Sequence, residues 1–369
     1  MSKISKLGTQ VVHAGLPKAK QGGPFMNGPA FASTFHLSGA ADSAEYQYAR
    51  FGNPTWTSLE KGIAELEGGE TVIFPSGMAA TAAIMSSLVT SGQKIVVPAD
   101  GYYATRAYAD TFLVPNGIEL VLVPTAELLD FDYTDVRLVF VESPSNPLLD
   151  VVDIKALATK VQAAGGLLAI DNTTLTVLGQ RPLALDADIS MSADTKAFNG
   201  HSDVVFGHVS AVNPALIERV RLWRKLAGNI PGPMETWLVH RGLATLDVRL
   251  ERMTNNAMAI AQMLTQRAEV VSVRYPGLPH DPAHEIASKQ MDNFGFIISF
   301  DLGSEQKAQS FLTASELIFE ATSFGGVHTM AERRARWGTD NVPSGLIRLS
   351  VGCERIDDLL IDIQRALEA

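Results

Sequence analysis

Between residues 71 and 194 short apolar runs recur with helix-like stretches among them, and this alternation constrains the fold more than any other feature. The runs are "TVIF" (71–74), "KIVVP" (94–98), "LVLVP" (120–124), "LVFVES" (138–143), "LLAID" (167–171) and "ISMSAD" (189–194). Each has strand length and little polar alternation, so each reads as a strand buried on both faces. Helical patterns fill 78–89 and 153–164. Parallel neighbours need a crossover of a dozen or more residues, usually a helix, and these spacings supply it. The expectation is an α/β chain with a mainly parallel sheet covered by helices on both sides. Ligands of such sheets bind beyond the carboxyl ends of the strands.

The flanks differ in style. Residues 1–45 are rich in Gly, Pro and Ala with weak periodicity, and read as an extended arm packed on another subunit. In "NPTWTSLEKGIAELEGG", Thr57 with Glu60 three residues on predicts a helix begun by a capping box. A large domain is expected over 46–233. From Met234 to Gln266 the pattern is one helix or two joined. Spaced strands at "VVSVRYP", "FIISFDL", "LIFEATSF" and "GLIRLSVGC" and a helix near 356–368 then complete a smaller domain over 234–369. "AERRARWG" (331–338) reads as a basic helical stretch forming a solvated face or an interface.

A net charge of −10 argues against nucleic acid or an anionic membrane as a partner, since both require a basic face. One cysteine, Cys353, excludes intrachain disulfides and fits a reducing compartment. With no signal-like apolar core in "MSKISKLGTQVVHAG" and no span-length apolar run, a cytoplasmic location is expected. Gly-x-Gly-x-x-Gly and Walker patterns are missing, and the eight histidines show no metal-ligand spacing. His201, His208, His284 and His328 read as structural.

Several chemistry-bearing residues fall at strand ends. Asp171 closes "LLAID" and Lys196 follows "ISMSAD". Alone, the acid is an ordinary cap or turn former and the lysine a solvated charge. Together they bring a carboxylate and an amine to one edge of one sheet. Pyridoxal phosphate asks for that pair, an amine to bond its aldehyde and an acid to keep its ring nitrogen protonated. Desolvation would lower the pKa of the amine and make it nucleophilic. Its phosphate needs a cradle, and "FPSGMAATAAIM" (74–85) offers the N–H groups of Gly77 and Met78 at a helix start. Close packing would equally explain those small residues. Tyr48 and Arg50 in "YQYARFGNPT" are two apart, so in extended chain they point the same way, and arginine suits phosphate. Arg348 lies inside the apolar strand "GLIRLSVGC" and needs a carboxylate, from the protein or from a substrate.

These segments together resemble the Cys/Met-metabolism family of pyridoxal-phosphate enzymes. The resemblance rests on "YQYARFGNPT", "PSGMAA", "ESPSNPLLDVVDI", "AIDNT", "TKAFNGHSD", "SFGG" and "IRLSVGC", in the family's order, and it runs from "VVHAG" (11–15) to "IRLSVGCE" (347–354). It implies the fold-type I architecture: a large domain with a mainly parallel seven-stranded sheet and a smaller α+β C-terminal domain. It also implies pyridoxal 5'-phosphate on Lys196, with Asp171 at the ring nitrogen. Tyr102 would stack on the ring and move protons, and Gly77, Met78 and Thr195 would contact the phosphate. Tyr48 and Arg50 would reach the neighbouring subunit's phosphate, so the active unit is at least a dimer and by family habit a homotetramer. Asn146, Ser323 and Arg348 would hold the substrate. The implied activity is a carbon–sulfur lyase on a sulfur amino acid, with cystathionine gamma-elimination first. Beta-elimination, methionine gamma-elimination, and the transferases cystathionine gamma-synthase and O-acyl-homoserine sulfhydrylase are the alternatives.

The chain departs from the family pattern in places. The usual lysine motif is Ser-Ala-Thr-Lys-Tyr, whereas here it is Ala193, Asp194, Thr195, Lys196, Ala197, so a phosphate-binding serine is missing and Asp194 is expected to point away. Gln47 and His328 stand where acids are common, which weakens any inference about the far end of the substrate.

Overall fold

The computed structural model describes residues 6–369; the first five residues of the expected arm lie outside them. The elements run α1 (Leu7–His13), α2 (Pro54–Glu67), β1 (Glu70–Phe74), α3 (Gly77–Leu88), β2 (Lys94–Pro98), α4 (Tyr103–Tyr108), β3 (Glu119–Val123), β4 (Val136–Glu142), α5 (Ile154–Ala163), β5 (Leu167–Asp171), α6 (Thr176–Gly179), β6 (Ile189–Ser192), β7 (Gly207–Ala211) and α7 (Pro214–Ala227). They continue with α8 (Pro233–Leu243), α9 (Leu246–Leu264), β8 (Ser272–Arg274), α10 (His284–Gln290), β9 (Ile297–Asp301), α11 (Glu305–Ala314), β10 (Phe319–Glu320), β11 (Met330–Arg333), β12 (Leu346–Ser350) and α12 (Ile356–Leu367).

A seven-stranded sheet has the order β1-β7-β6-β5-β4-β2-β3. It is parallel except around β7, which runs antiparallel to β1 and β6. The core residues Ala80, Ile84, Ile217 and Val220 of α3 and α7 cover one face, and Leu157 and Val161 of α5 pack on the other. That is the two-sided burial the apolar runs require. Two details differ from expectation. β3 is an edge strand with Glu119 and Leu122 exposed, because β2 is its one neighbour. Strand β7, "GHVSA", escaped notice because its His, Ser and Gly give it no apolar signature, yet all five residues are buried.

The second sheet has the order β10-β11-β12-β9-β8 and is antiparallel apart from β10 with β11. The strand β11 was missed, and "AERRARWG" is not a helical stretch. It enters as strand and ends in a short 3-10 turn at Arg334–Trp337, with Glu332 and Arg334 buried. A run of three arginines looks solvated by composition, but each finds a carboxylate here.

Helix α2 also starts differently. Asn53, not Thr57, is the cap: its side chain accepts from Thr55 N–H at 2.8 Å, with Pro54 opening the helix. Thr57 lies a turn inside, and Glu60 accepts from Arg224 at 2.6 Å rather than closing a capping box. The joined stretch after 233 is two helices, α8 and α9. Among the described residues no helix is long and apolar enough to cross a membrane.

Candidate active site

Because β1, β4, β5 and β6 run in the same direction, their carboxyl ends meet at one edge of the sheet. Glu142 is the register partner of Asp171, and Asp171 of Met191. A cavity of about 480 Å³ opens at that edge, closed on its far side by residues around β11 and β12. Its wall includes Gly77, Met78, Tyr102, Asn146, Asp171, Thr195, Lys196, Ser323 and Arg348, nine of the eleven positions expected from the sequence.

Lys196 lies in the turn after β6, held by its N–H to Ala193 O at 3.1 Å. Its Nζ donates to Ser323 Oγ at 2.8 Å and sits 4.6 Å from the centre of the Phe324 ring. Burial, helped by the Arg348 charge, pushes this amine down to about 8. At physiological pH a substantial fraction is therefore neutral and nucleophilic, which a solvated lysine is not.

Asp171 is buried, and its Oδ1 accepts from Thr173 N–H at 3.0 Å and Thr173 Oγ1 at 2.5 Å. The same Thr173 oxygen accepts from Ala193 N–H at 2.8 Å, so one threonine ties the acid to the lysine turn. Burial raises the Asp171 pKa, while Thr173, Lys196 and His208 oppose the rise. The neighbouring Glu142 is raised well above the usual carboxylate range, by burial first and then by Asp171. Two buried carboxyls in register cannot both ionise cheaply, so each disfavours the charge of the other, and Glu142 is the more strongly raised. Glu142 went unnoticed although its signal, an acid closing a buried run, is the one that identified Asp171. Its Oε2 accepts from the N–H groups of Tyr102 at 3.0 Å and Asn146 at 3.2 Å, setting both loops.

The N-terminus of α3 forms another wall. Ser76 caps it through Ala79 N–H at 2.9 Å, leaving the N–H groups of Gly77 and Met78 outside the helix ladder. A Cβ at Gly77 would come within 2.5 Å of the Ala193 side chain, so glycine is required for the lysine turn to close against the helix. Thr195 Oγ1 is engaged with the backbone of Phe206, at 2.9 Å from its N–H and 3.1 Å from its O.

Opposite the lysine, the question left open at Arg348 is answered by the protein. Arg348 donates to Glu332 Oε1 at 2.5 Å, to Asn146 Oδ1 at 2.8 Å and to Ser323 O at 3.0 Å. Ser323 is held at φ 79°, a left-handed value, which presents both its Oγ to Lys196 and its carbonyl to Arg348. Glu332 is the hub of this wall: it also accepts from Arg334 Nη1 at 2.7 Å and Trp337 Nε1 at 2.8 Å, and both residues line the cavity. Basic composition pointed "AERRARWG" at solvent, and only the pairing of β11 with β12 reveals it as site wall.

Tyr48 and Arg50 are not brought to this cavity. Tyr48 bridges to Thr34 and is exposed, and Arg50 Nη1 donates to Lys225 O at 2.7 Å. Gln47 and His328 also lie outside the wall, with His328 edge-on to Phe319. Asp194 does point away from the cavity, as expected, and binds His208 at 2.8 Å.

A partly neutral buried amine, a buried acid, a helix N-terminus and the Tyr102 side chain converge on one chamber. That set fits a phosphate-bearing aldehyde with a basic ring. The arginine, asparagine and serine opposite fit a carboxylate.

The sequence profile of the Cys/Met metabolism PLP-dependent enzyme family matches residues 8–368. A Streptomyces coelicolor protein named "Putative cystathionine gamma-lyase" is 47% identical over 98% of this chain and 93% of its own. The cystathionine beta-lyase of Lactococcus lactis strain MG1363 is 38% identical over 99% of this chain and 100% of its own. The crystal structure of cystathionine gamma-lyase from Lactobacillus plantarum, complexed with L-serine, superposes with a TM-score of 0.93 at 34% identity, covering 99% of each chain. The fold expected from the resemblance is the fold observed.

Proposed function

The chain belongs to the Cys/Met metabolism PLP-dependent enzyme family, and from that premise we propose that it is a carbon–sulfur lyase cleaving cystathionine to cysteine, 2-oxobutyrate and ammonia. The observation that carries the reading is the buried Lys196 amine, lowered to about 8, facing Arg348 and Asn146 across one cavity. The 47% identity to the Streptomyces coelicolor protein supports gamma-elimination over its alternatives.

Pyridoxal phosphate, when bound, supplies the electron sink for the substrate's α-carbon. The chain's own residues do the rest. Lys196 Nζ would anchor the aldehyde, and its neutral amine would accept the proton of the substrate's α-carbon. Asp171 would hold the ring nitrogen protonated, with Thr173 orienting its carboxylate through two hydrogen bonds. Gly77, Met78 and Thr195 would receive the phosphate. Tyr102, on the cavity wall, would pack on the ring and give or take protons through its hydroxyl. Arg348, Asn146 and Ser323 orient the α-carboxylate, and the Glu332 network keeps Arg348 in place beforehand.

We also place residues 46–233 in a cofactor-binding large domain and 234–369 in a smaller one, with an arm over 1–45. The exposed Phe25, Phe31, Tyr48, Phe51 and Leu226 support burial of the arm and of α7 against a second copy. Tyr48 and Arg50 would then complete the neighbour's phosphate site, in a cytoplasmic homotetramer built as a dimer of dimers.

The deciding experiment is a product assay with cystathionine. Cysteine with 2-oxobutyrate is expected. Homocysteine with pyruvate would make the enzyme a beta-lyase, and turnover that requires a second nucleophilic substrate would make it a transferase.

A further inference from the structure

Behind the lysine turn, away from the cavity, lie three buried ionisable residues that the proposed chemistry does not use. His208, on β7, stands opposite Ile73 of β1 and Ser192 of β6 and is fully buried. Its Nδ1 is 2.8 and 2.9 Å from the two oxygens of Asp194, and its Nε2 is 3.4 Å from Glu67 Oε1 at the end of α2. Phe198 lies against the ring at 5.5 Å, sealing that side. Asp194 and Glu67 are as buried as the imidazole. The ring lies between the carboxylates, so the three do not converge as metal ligands would, and among the described residues no such cluster occurs.

Asp194 is flanked by Ala193 and Thr195, which both line the cavity while Asp194 does not. Its backbone O accepts from Asn199 N–H at 3.0 Å, inside the same turn that carries Lys196. The position of this one side chain therefore sets which way the turn faces. An unpaired carboxylate there would be costly, and it would also put a negative charge beside a site built for phosphate.

We propose that His208 is a positioning residue for the cofactor site: by pairing with Asp194 it fixes the turn bearing Ala193, Thr195 and Lys196 and cancels the Asp194 charge behind the phosphate cradle. Burial alone would push the imidazole down, but Asp194 and Glu67 outweigh it and hold His208 protonated, its pKa raised to about 10. The resulting cation also helps keep Asp171 ionised. The inference rests on the cofactor assignment above and not on which sulfur substrate is cleaved.

The test is equilibrium dialysis of the full-length protein against graded pyridoxal phosphate, with the unfolding midpoint measured alongside. Wild type should retain the cofactor. His208→Leu strands the Asp194 charge and should weaken cofactor binding by about tenfold or more, the scale of a broken buried pair. The double variant Asp194→Ala with His208→Leu removes the carboxylate beside the cradle together with its partner and should return cofactor affinity to within about threefold of wild type, since paired residues act as a unit, while Glu67, left without the imidazole, lowers the unfolding midpoint. His208→Gln keeps a donor toward Asp194 without the charge; it should bind more weakly than wild type, and it carries the test alone if His208→Leu does not fold. Unchanged cofactor affinity in His208→Leu and His208→Gln overturns the proposal, as does a double variant that binds as weakly as His208→Leu. A wild type that binds no pyridoxal phosphate overturns the cofactor assignment itself.

Discussion

Arg348 Nη1 donates to Asn146 Oδ1 at 2.8 Å, a bond that spans 202 residues of sequence and ties the central strand of the five-stranded sheet to the loop after β4. With Glu332 and Ser323 O as its other acceptors, Arg348 is fully oriented by the protein. A carboxylate that binds here meets a guanidinium whose ordering has already been paid for.

That orientation has a kinetic consequence. Arg348→Lys keeps the charge but loses the planar fork, so KM for the amino-acid substrate should rise about tenfold to 100-fold while kcat changes by no more than a few-fold. Steady-state kinetics separates the two constants. Loss of kcat with KM unchanged would place Arg348 outside ground-state carboxylate binding.

Capture of pyridoxal phosphate by the cofactor-free protein should depend on pH through Lys196. The folded amine, near 8, lies below the ordinary lysine value of 10.5, so the neutral form gains as pH rises and is nearly complete by about pH 9. The rate of recovery of the visible band should increase about tenfold from pH 7 to 9 and then level off. A rate still climbing at pH 10 would mean that the amine is solvated. Lys196→Ala should abolish the band.

At the start of α2, Asn53 both caps the helix and donates to Ala30 O at 2.9 Å, pinning the arm to the large sheet's helices. Asn53→Ala should cost about 1–2 kcal/mol in urea unfolding, and Thr57→Ala less than about 0.5 kcal/mol. Equal losses would restore the capping-box reading.

If Arg50 serves a neighbouring site, Arg50→Ala and Lys196→Ala should complement each other. Each homo-oligomer should be nearly inactive, and refolding an equal mixture should restore about a quarter of wild-type activity, the yield when random pairing leaves one intact site in half of the dimers. No recovery in a verified mixed oligomer would confine Arg50 to its own chain.

Much of this protein could be read from its residues. The apolar runs fixed six of the seven large-sheet strands because burial on both faces leaves a composition signal, and that sheet's geometry put Asp171 and Lys196 at one edge. Composition misled where polar residues are buried by pairing. His208 hid β7, and the three arginines of "AERRARWG" concealed β11, because ion pairs across strands cannot be counted along the chain. Glu142 was legible in principle, since it ends a buried run as Asp171 does. Local sequence thus determined which segments are most of the large sheet's strands and which residues stand as candidate nucleophile, acid and phosphate cradle, because these depend on burial period and side-chain chemistry. Only the tertiary structure decided that Glu332 holds Arg348 and that Asp194 turns back to His208. Each relationship links neighbouring strands across only 14 to 16 residues, but depends on which strands pair and on desolvation that exists only once the sheets have formed.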